Sequence, residues 1–73
     1  MGSALVTIQL NGEPRGIQEQ TTVSELLREL NIKPDRVAVE LNLEIVDRQA
    51  FETLALREGD RLEILSFIGG GMK

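Results

Sequence analysis

The 73-residue sequence contains no cysteine, histidine, tryptophan or tyrosine. Without cysteine there can be no disulfide, no thiolate nucleophile, no thiolate metal site and no internal persulfide relay. Without histidine the chain lacks the side chain best suited to proton transfer near neutral pH, and the commonest transition-metal ligand. Lysines are few as well, so the chain is poorly equipped for catalysis of its own and is read as a non-enzyme. Phe51 and Phe67 are the only aromatic residues, which leaves Leu, Ile and Val to build the core. No apolar stretch approaches the length of a membrane span, and no signal-peptide pattern opens the chain. Val6 stands where a myristoylation motif beginning at Gly2 needs Ser or Thr. The expected location is cytoplasmic, with no membrane partner.

What is present is a soluble-domain composition, 41% hydrophobic and 27% charged. The 12 acidic and 8 basic side chains leave a net charge of −4. That surface repels nucleic-acid phosphates and favours a partner with a basic face. Arg28, Arg36, Arg48, Arg57 and Arg61 are scattered, so no basic stripe argues otherwise. A chain this short has room for one small core, which is marginal without a well-ordered sheet and helix.

Hydropathy alternates from Leu5 to Leu10, with Val6, Ile8 and Leu10 on one side, the period of a half-buried strand. Asn11-Gly12 follows as a hairpin signal, since both residues tolerate positive φ. The return strand is expected from about Arg15 to Glu19 with Ile17 inward, and Pro14 at its start or on an edge. Thr22-Val23-Ser24-Glu25 has the form of a capping box. Val23, Leu26, Leu27 and Leu30 then make an apolar helical stripe, with Glu25, Arg28 and Glu29 on the wet side. Asn31 reads as a left-handed stop and Pro34 forbids continuation, so the helix is short.

Val37 to Leu41 alternates again, and Glu44 to Val46 suits a further short strand. Asp47 to Thr53 has no period and reads as turns with Phe51 as a plug. Arg57-Glu58-Gly59-Asp60 is a polar turn. A last strand, Arg61 to Ile68, carries Leu62, Ile64 and Ile68 on one face and Leu65 and Phe67 on the other. Leu65 and Phe67 suit either a partner-facing role or packing beneath the Asp47 to Thr53 segment. The order of hairpin, helix, strand, short strand and final strand gives a two-layer α+β domain, a small mixed sheet packed on one helix. In a β-grasp arrangement the first and last strands would lie parallel at its centre.

Beyond Ile68 the pattern stops at Gly69-Gly70-Gly71. A phosphate-binding loop would need a helix immediately downstream, and none is expected here. As a tail the run is slender enough to enter a narrow cleft, and a terminal glycine carboxylate has no Cβ to obstruct attack on an acyl phosphate. The chain therefore divides into a domain over residues 1–68 and a flexible glycine-rich tail over 69–73. The carboxylates Glu40 and Glu44, or Asp47 and Glu52, suit solvated surface charge better than a metal or acid–base site.

The whole stretch from Leu5 to Gly71 resembles the ThiS family of ubiquitin-like sulfur carriers of thiamin biosynthesis. The matching pieces are Leu10-Asn11-Gly12-Glu13, Thr22-Val23-Ser24-Glu25-Leu26-Leu27, and Val37-Ala38-Val39-Glu40-Leu41-Asn42 with Glu44-Ile45-Val46-Asp47-Arg48. Glu58-Gly59-Asp60 and Phe67-Ile68-Gly69-Gly70-Gly71 complete the set. Their order and spacing carry the resemblance, since each piece alone is common.

The resemblance implies a ubiquitin-like β-grasp fold and a carrier that is consumed and regenerated. An E1-like, ThiF-type adenylyltransferase would adenylate Gly71 using ATP and magnesium, with no cofactor bound to the carrier itself. A cysteine desulfurase pathway would supply a persulfide, yielding a thiocarboxylate whose sulfur passes to a ThiG-type thiazole synthase. Gly69, Gly70, Phe67 and Ile68 would be the residues recognised beside Gly71. The alternatives are a carrier for molybdopterin or cysteine synthesis, a ubiquitin-like modifier of lysines, and a binding module with an inert tail. Family members typically end at the glycine pair, so the expectation is that Met72-Lys73 is trimmed to free the Gly71 carboxylate. A monomer that meets its partners transiently is expected.

Overall fold

The computed structural model describes residues 4–66. In chain order the elements are β1 (Leu5–Leu10), β2 (Glu13–Gln18), α1 (Val23–Glu29), β3 (Val37–Leu41), β4 (Glu44–Ile45) and β5 (Arg61–Ser66), with single 3₁₀ turns at Pro34–Arg36 and Arg48–Ala50. The five strands form one sheet in the order β2-β1-β5-β3-β4. β1 and β5 are parallel, whereas β1–β2, β3–β5 and β3–β4 are antiparallel. The parallel pairing of first and last strands is the one expected from the order of elements.

The β1–β2 connection turns on Asn11 and Gly12, with φ of 49° and 86°. Glycine has no Cβ to clash there, and asparagine is among the few side chains that enter this region readily. β2 starts two residues earlier than expected, because Pro14 sits within the ladder opposite Gln9. It is tolerated there since β2 is an edge strand, where a missing N–H need not break a ladder on both sides.

α1 is held at its start by more than its own cap. The Glu25 amide donates to Thr22 Oγ1 (3.1 Å), and Glu25 Oε1 accepts from the Thr22 amide (3.0 Å). The free amides of Val23 and Ser24 donate to the carbonyls of Leu54 and Phe51, at 3.1 and 2.8 Å. The first-turn donors that a helix leaves open are thus satisfied, and the aperiodic segment around Phe51 supplies half of the acceptors. At the other end Asn31 adopts φ 60°. The Ile32 amide reaches the Leu27 carbonyl at 2.9 Å, and the Asn31 amide that of Arg28 at 3.1 Å. That pair of bonds is a Schellman stop, closed by Ile32 folding onto the core.

One face of the sheet and the inner side of α1 enclose Ile8, Ile17, Val23, Leu26, Leu27, Val37, Val39, Phe51, Leu56 and Leu62, all buried. Phe51 is the plug that the sequence suggests, seated from the 3₁₀ turn that precedes it. Arg48 anchors that turn by donating to the carbonyls of Pro34 (2.7 Å) and Val37 (3.4 Å). Among the described residues no helix is long and apolar enough to cross a membrane.

Candidate functional site

The glycine tail and its neighbours, Phe67, Ile68, Gly69, Gly70 and Gly71, lie outside the described residues, as does the expected domain boundary at residue 68. What the structure shows is the root from which they leave. Ser66 closes β5, opposite Val37 of β3. β5 is the middle strand of the sheet: β1 pairs with its start at Arg61 and Leu62, and β3 pairs with it up to Ser66, where the tail leaves.

On its β1 side the ladder is lengthened by a side chain. The Gln9 amide donates to the Asp60 carbonyl and the Asn11 amide to the Leu62 carbonyl, both at 2.9 Å. The next bond of a parallel ladder would run from the Ile64 amide to the Asn11 carbonyl, but the backbone has already turned into the hairpin. Instead the Ile64 amide donates to Asn11 Oδ1 at 2.7 Å, and Asn11 Nδ2 donates to the Ile64 carbonyl at 3.4 Å. The asparagine amide stands in for a residue of strand. At the opposite end of β5 Asn42 acts similarly: its Oδ1 accepts from the Arg61 amide (2.9 Å) and its Nδ2 reaches Asp60 Oδ1 (3.1 Å). Two hairpin asparagines therefore clamp the last strand, Asn42 at its start and Asn11 at Ile64 in its second half.

The turn before β5 is fastened to β1. Glu58 Oε1 accepts from the Thr7 amide (2.9 Å), and the Gly59 amide donates to the Thr7 carbonyl (2.8 Å). Gly59 takes φ 85°, a conformation for which glycine is suited. Asp60 Oδ2 accepts from the Arg57 amide at 2.8 Å and tightens the loop.

The sheet face away from α1 has no layer over it among the described residues. Register places Leu65 opposite Ala38 there, and Glu63 opposite Glu40 with Ile45 beyond it. Leu65 is 46% exposed and Ile45 67% exposed. Of the two readings open for Leu65, packing under the Asp47 to Thr53 segment is thereby excluded. No group of three or more acidic, cysteine or histidine side chains able to hold a metal ion occurs among the described residues. Glu40, Glu44, Asp47 and Glu52 accordingly form no such cluster.

Sequence reasoning missed Asn11 and Asn42 as clamps. Asn-Gly signalled only a turn, and nothing in the local pattern reveals which distant strand a turn asparagine will reach. It also missed Leu43, which sits at φ 76° in the β3–β4 loop and is 76% exposed.

This fold, with its tail rooted on the central strand, can be set against known proteins. The model of the ThiS family matches residues 8–71. The chain belongs to the ThiS family. A sulfur carrier protein ThiS of Thermus thermophilus is 39% identical, the match covering 88% of this chain and 98% of that protein. The crystal structure of a thiamine biosynthesis protein (ThiS) from Geobacter metallireducens superposes with a TM-score of 0.77 at 38% identity, over 90% of this chain and 100% of that one. The β-grasp fold of this ThiS-family chain is thereby established. A thiazole synthase of Paramagnetospirillum magneticum is 48% identical over 62 residues, which are 85% of this chain. The chain spans only 19% of that protein's length. The family match extends through all three tail glycines and stops before Met72-Lys73.

Proposed function

We propose that this chain is a sulfur carrier for the thiazole of thiamin, and that its working group is the carboxylate of Gly71. The observation that carries the reading is the family match through Gly71 on a β-grasp whose central strand ends at the tail root. The carboxylate attacks the α-phosphorus of ATP, held with magnesium on an E1-like, ThiF-type enzyme, and pyrophosphate leaves. The acyl adenylate is then attacked by the outer sulfur of a persulfide, originating with a cysteine desulfurase, and AMP departs. The resulting acyl disulfide needs two electrons to open. A second thiol supplies them, leaving a thiocarboxylate on Gly71 and a disulfide on the donor. Thiazole synthase takes the sulfur into its acceptor substrate, and an oxygen from that acceptor or from water replaces it, so that the carboxylate returns.

Beyond the Gly71 carboxylate itself, nothing in this sequence of steps asks the carrier for a side-chain nucleophile or a proton relay, in keeping with a chain that has neither Cys nor His. It does ask for a free Gly71 carboxylate, so the peptide bond before Met72 is hydrolysed first. The remaining task for the fold is to present a narrow tail from a fixed root, with Gly69 and Gly70 passing through the cleft and Phe67 and Ile68 at its mouth.

The test is to mix protein ending at Gly71 with ATP, magnesium, the activating enzyme and a sulfur donor, and to measure intact mass. The expected product is heavier by the exchange of one oxygen for sulfur. Full-length protein ending at Lys73 is expected to remain unchanged. Absence of the mass change with an activating enzyme that charges its own carrier would refute the reading. Accumulation of lysine conjugates in cells without thiocarboxylate would replace it with a protein modifier.

A further inference from the structure

Beside the tail root, at the end of the molecule where β5 leaves, the short helix stops before the sheet does. The gap is a groove of 470 Å³ floored by Leu10, Leu30, Ile32, Val37 and Ile64. Ser66 forms part of its wall, and Lys33 and Arg36 stand at its rim. Both cations are exposed, and neither is paired with a carboxylate among the described residues, where Arg15–Glu29 is the one ion pair. A chain of net charge −4 thus places two uncommitted positive charges beside an apolar floor.

Gly71 lies five residues beyond Ser66. Fully extended, five residues span at most about 18 Å. An enzyme that acts on the Gly71 carbonyl must therefore bring its own surface within that distance of the tail root, and the groove lies at that root. Apolar contact supplies affinity in such a site, while flanking charges choose the partner and its orientation. The cations call for a carboxylate next to an apolar side chain.

We propose that the groove receives a segment of thiazole synthase that carries an apolar side chain with a carboxylate beside it. The assignment rests on the carrier reading above. It selects thiazole synthase because a relative of that name holds a domain like this one within its own chain. Seating such a segment fixes the angle at which the tail enters the enzyme.

The experiment compares wild type, Lys33→Glu/Arg36→Glu and the charge-conserving Lys33→Arg/Arg36→Lys, each as the full chain and as the form ending at Gly71. Binding to thiazole synthase is measured by calorimetry, adenylation by pyrophosphate release, and folding by circular dichroism. Charge reversal is expected to weaken binding to thiazole synthase by about tenfold or more, as loss of complementary interface charge does. The conserving pair should bind like wild type, and for the forms ending at Gly71 the KM for adenylation should be unchanged in both variants. Equal binding by the reversed variant overturns the proposal. So does a rise in the adenylation KM with thiazole synthase binding intact, which would hand the groove to the activating enzyme. Shifts of the Ile32 and Val37 resonances on deleting residues 67–73 from the free carrier would assign the groove to its own tail and likewise overturn it. Wild type that is thiocarboxylated but never binds thiazole synthase would remove the groove's occupant while leaving the carrier chemistry standing. Wild type that is not thiocarboxylated at all would sink the carrier reading itself.

Discussion

Leu43 occupies a left-handed position in the two-residue loop between Leu41 and Glu44, beside Asn42 at φ 53°. A branched side chain pays a steric cost in that region, and Leu43 recovers little of it by burial, being 76% exposed. Leu43→Gly turns the loop into Asn-Gly, and the relief should outweigh the added chain entropy by about 0.5–1 kcal/mol. Urea denaturation should show a higher midpoint at unchanged slope; a lower midpoint would mean that Leu43 makes contacts the fold depends on. Thr22 is the opposite case, a residue whose side chain fits its position. Thr22→Ala removes the acceptor for the Glu25 amide and should cost about 1 kcal/mol, within the range for lost N-caps. Because the Val23 and Ser24 amides keep their bonds to Leu54 and Phe51, the helix should survive, and far-ultraviolet dichroism of the folded variant should match wild type.

At the scale of elements, β5 depends on side chains from two hairpins. Asn11→Gly keeps the left-handed backbone and isolates the loss of the amide pair with Ile64. The expected cost is about 1 kcal/mol, the net worth of an ordinary hydrogen bond. The sharper readout is hydrogen exchange: the Ile64 amide should lose protection while Leu62, bonded through the backbone, keeps it. Equal protection at both would show that the asparagine does not hold the strand. These elements also show what a sequence reveals. β1 and β3 were legible from alternation, β1 with an Asn-Gly turn signal behind it, and α1 because helical period, a capping box and a stop signal coincided. The 47–53 segment had none of these, since its order comes from carbonyls offered to α1 and from Arg48 reaching Pro34 and Val37. The glycine tail was legible as a motif, yet its root was not: the clamp by Asn11 joins residues 53 positions apart.

The whole molecule rests on one small core, and little of it is redundant. Leu26 is fully buried where α1 meets the sheet. Leu26→Ala should remove about 2–5 kcal/mol, as buried leucines do elsewhere. For a domain of this length total stability is only about 4–11 kcal/mol, so the variant should melt tens of degrees lower or fail to fold. A loss below about 1 kcal/mol would mean that the helix–sheet layer repacks around the gap.

The placement of β5 between β1 and β3 has a mechanical consequence. Tension applied through the tail acts along the strand, and both flanking ladders resist it in shear, their bonds loaded together rather than one after another. Forced unfolding is governed by that barrier rather than by equilibrium stability. A pull at the end of β5 is therefore borne by the strand as a unit, and the body stays folded until that barrier is crossed.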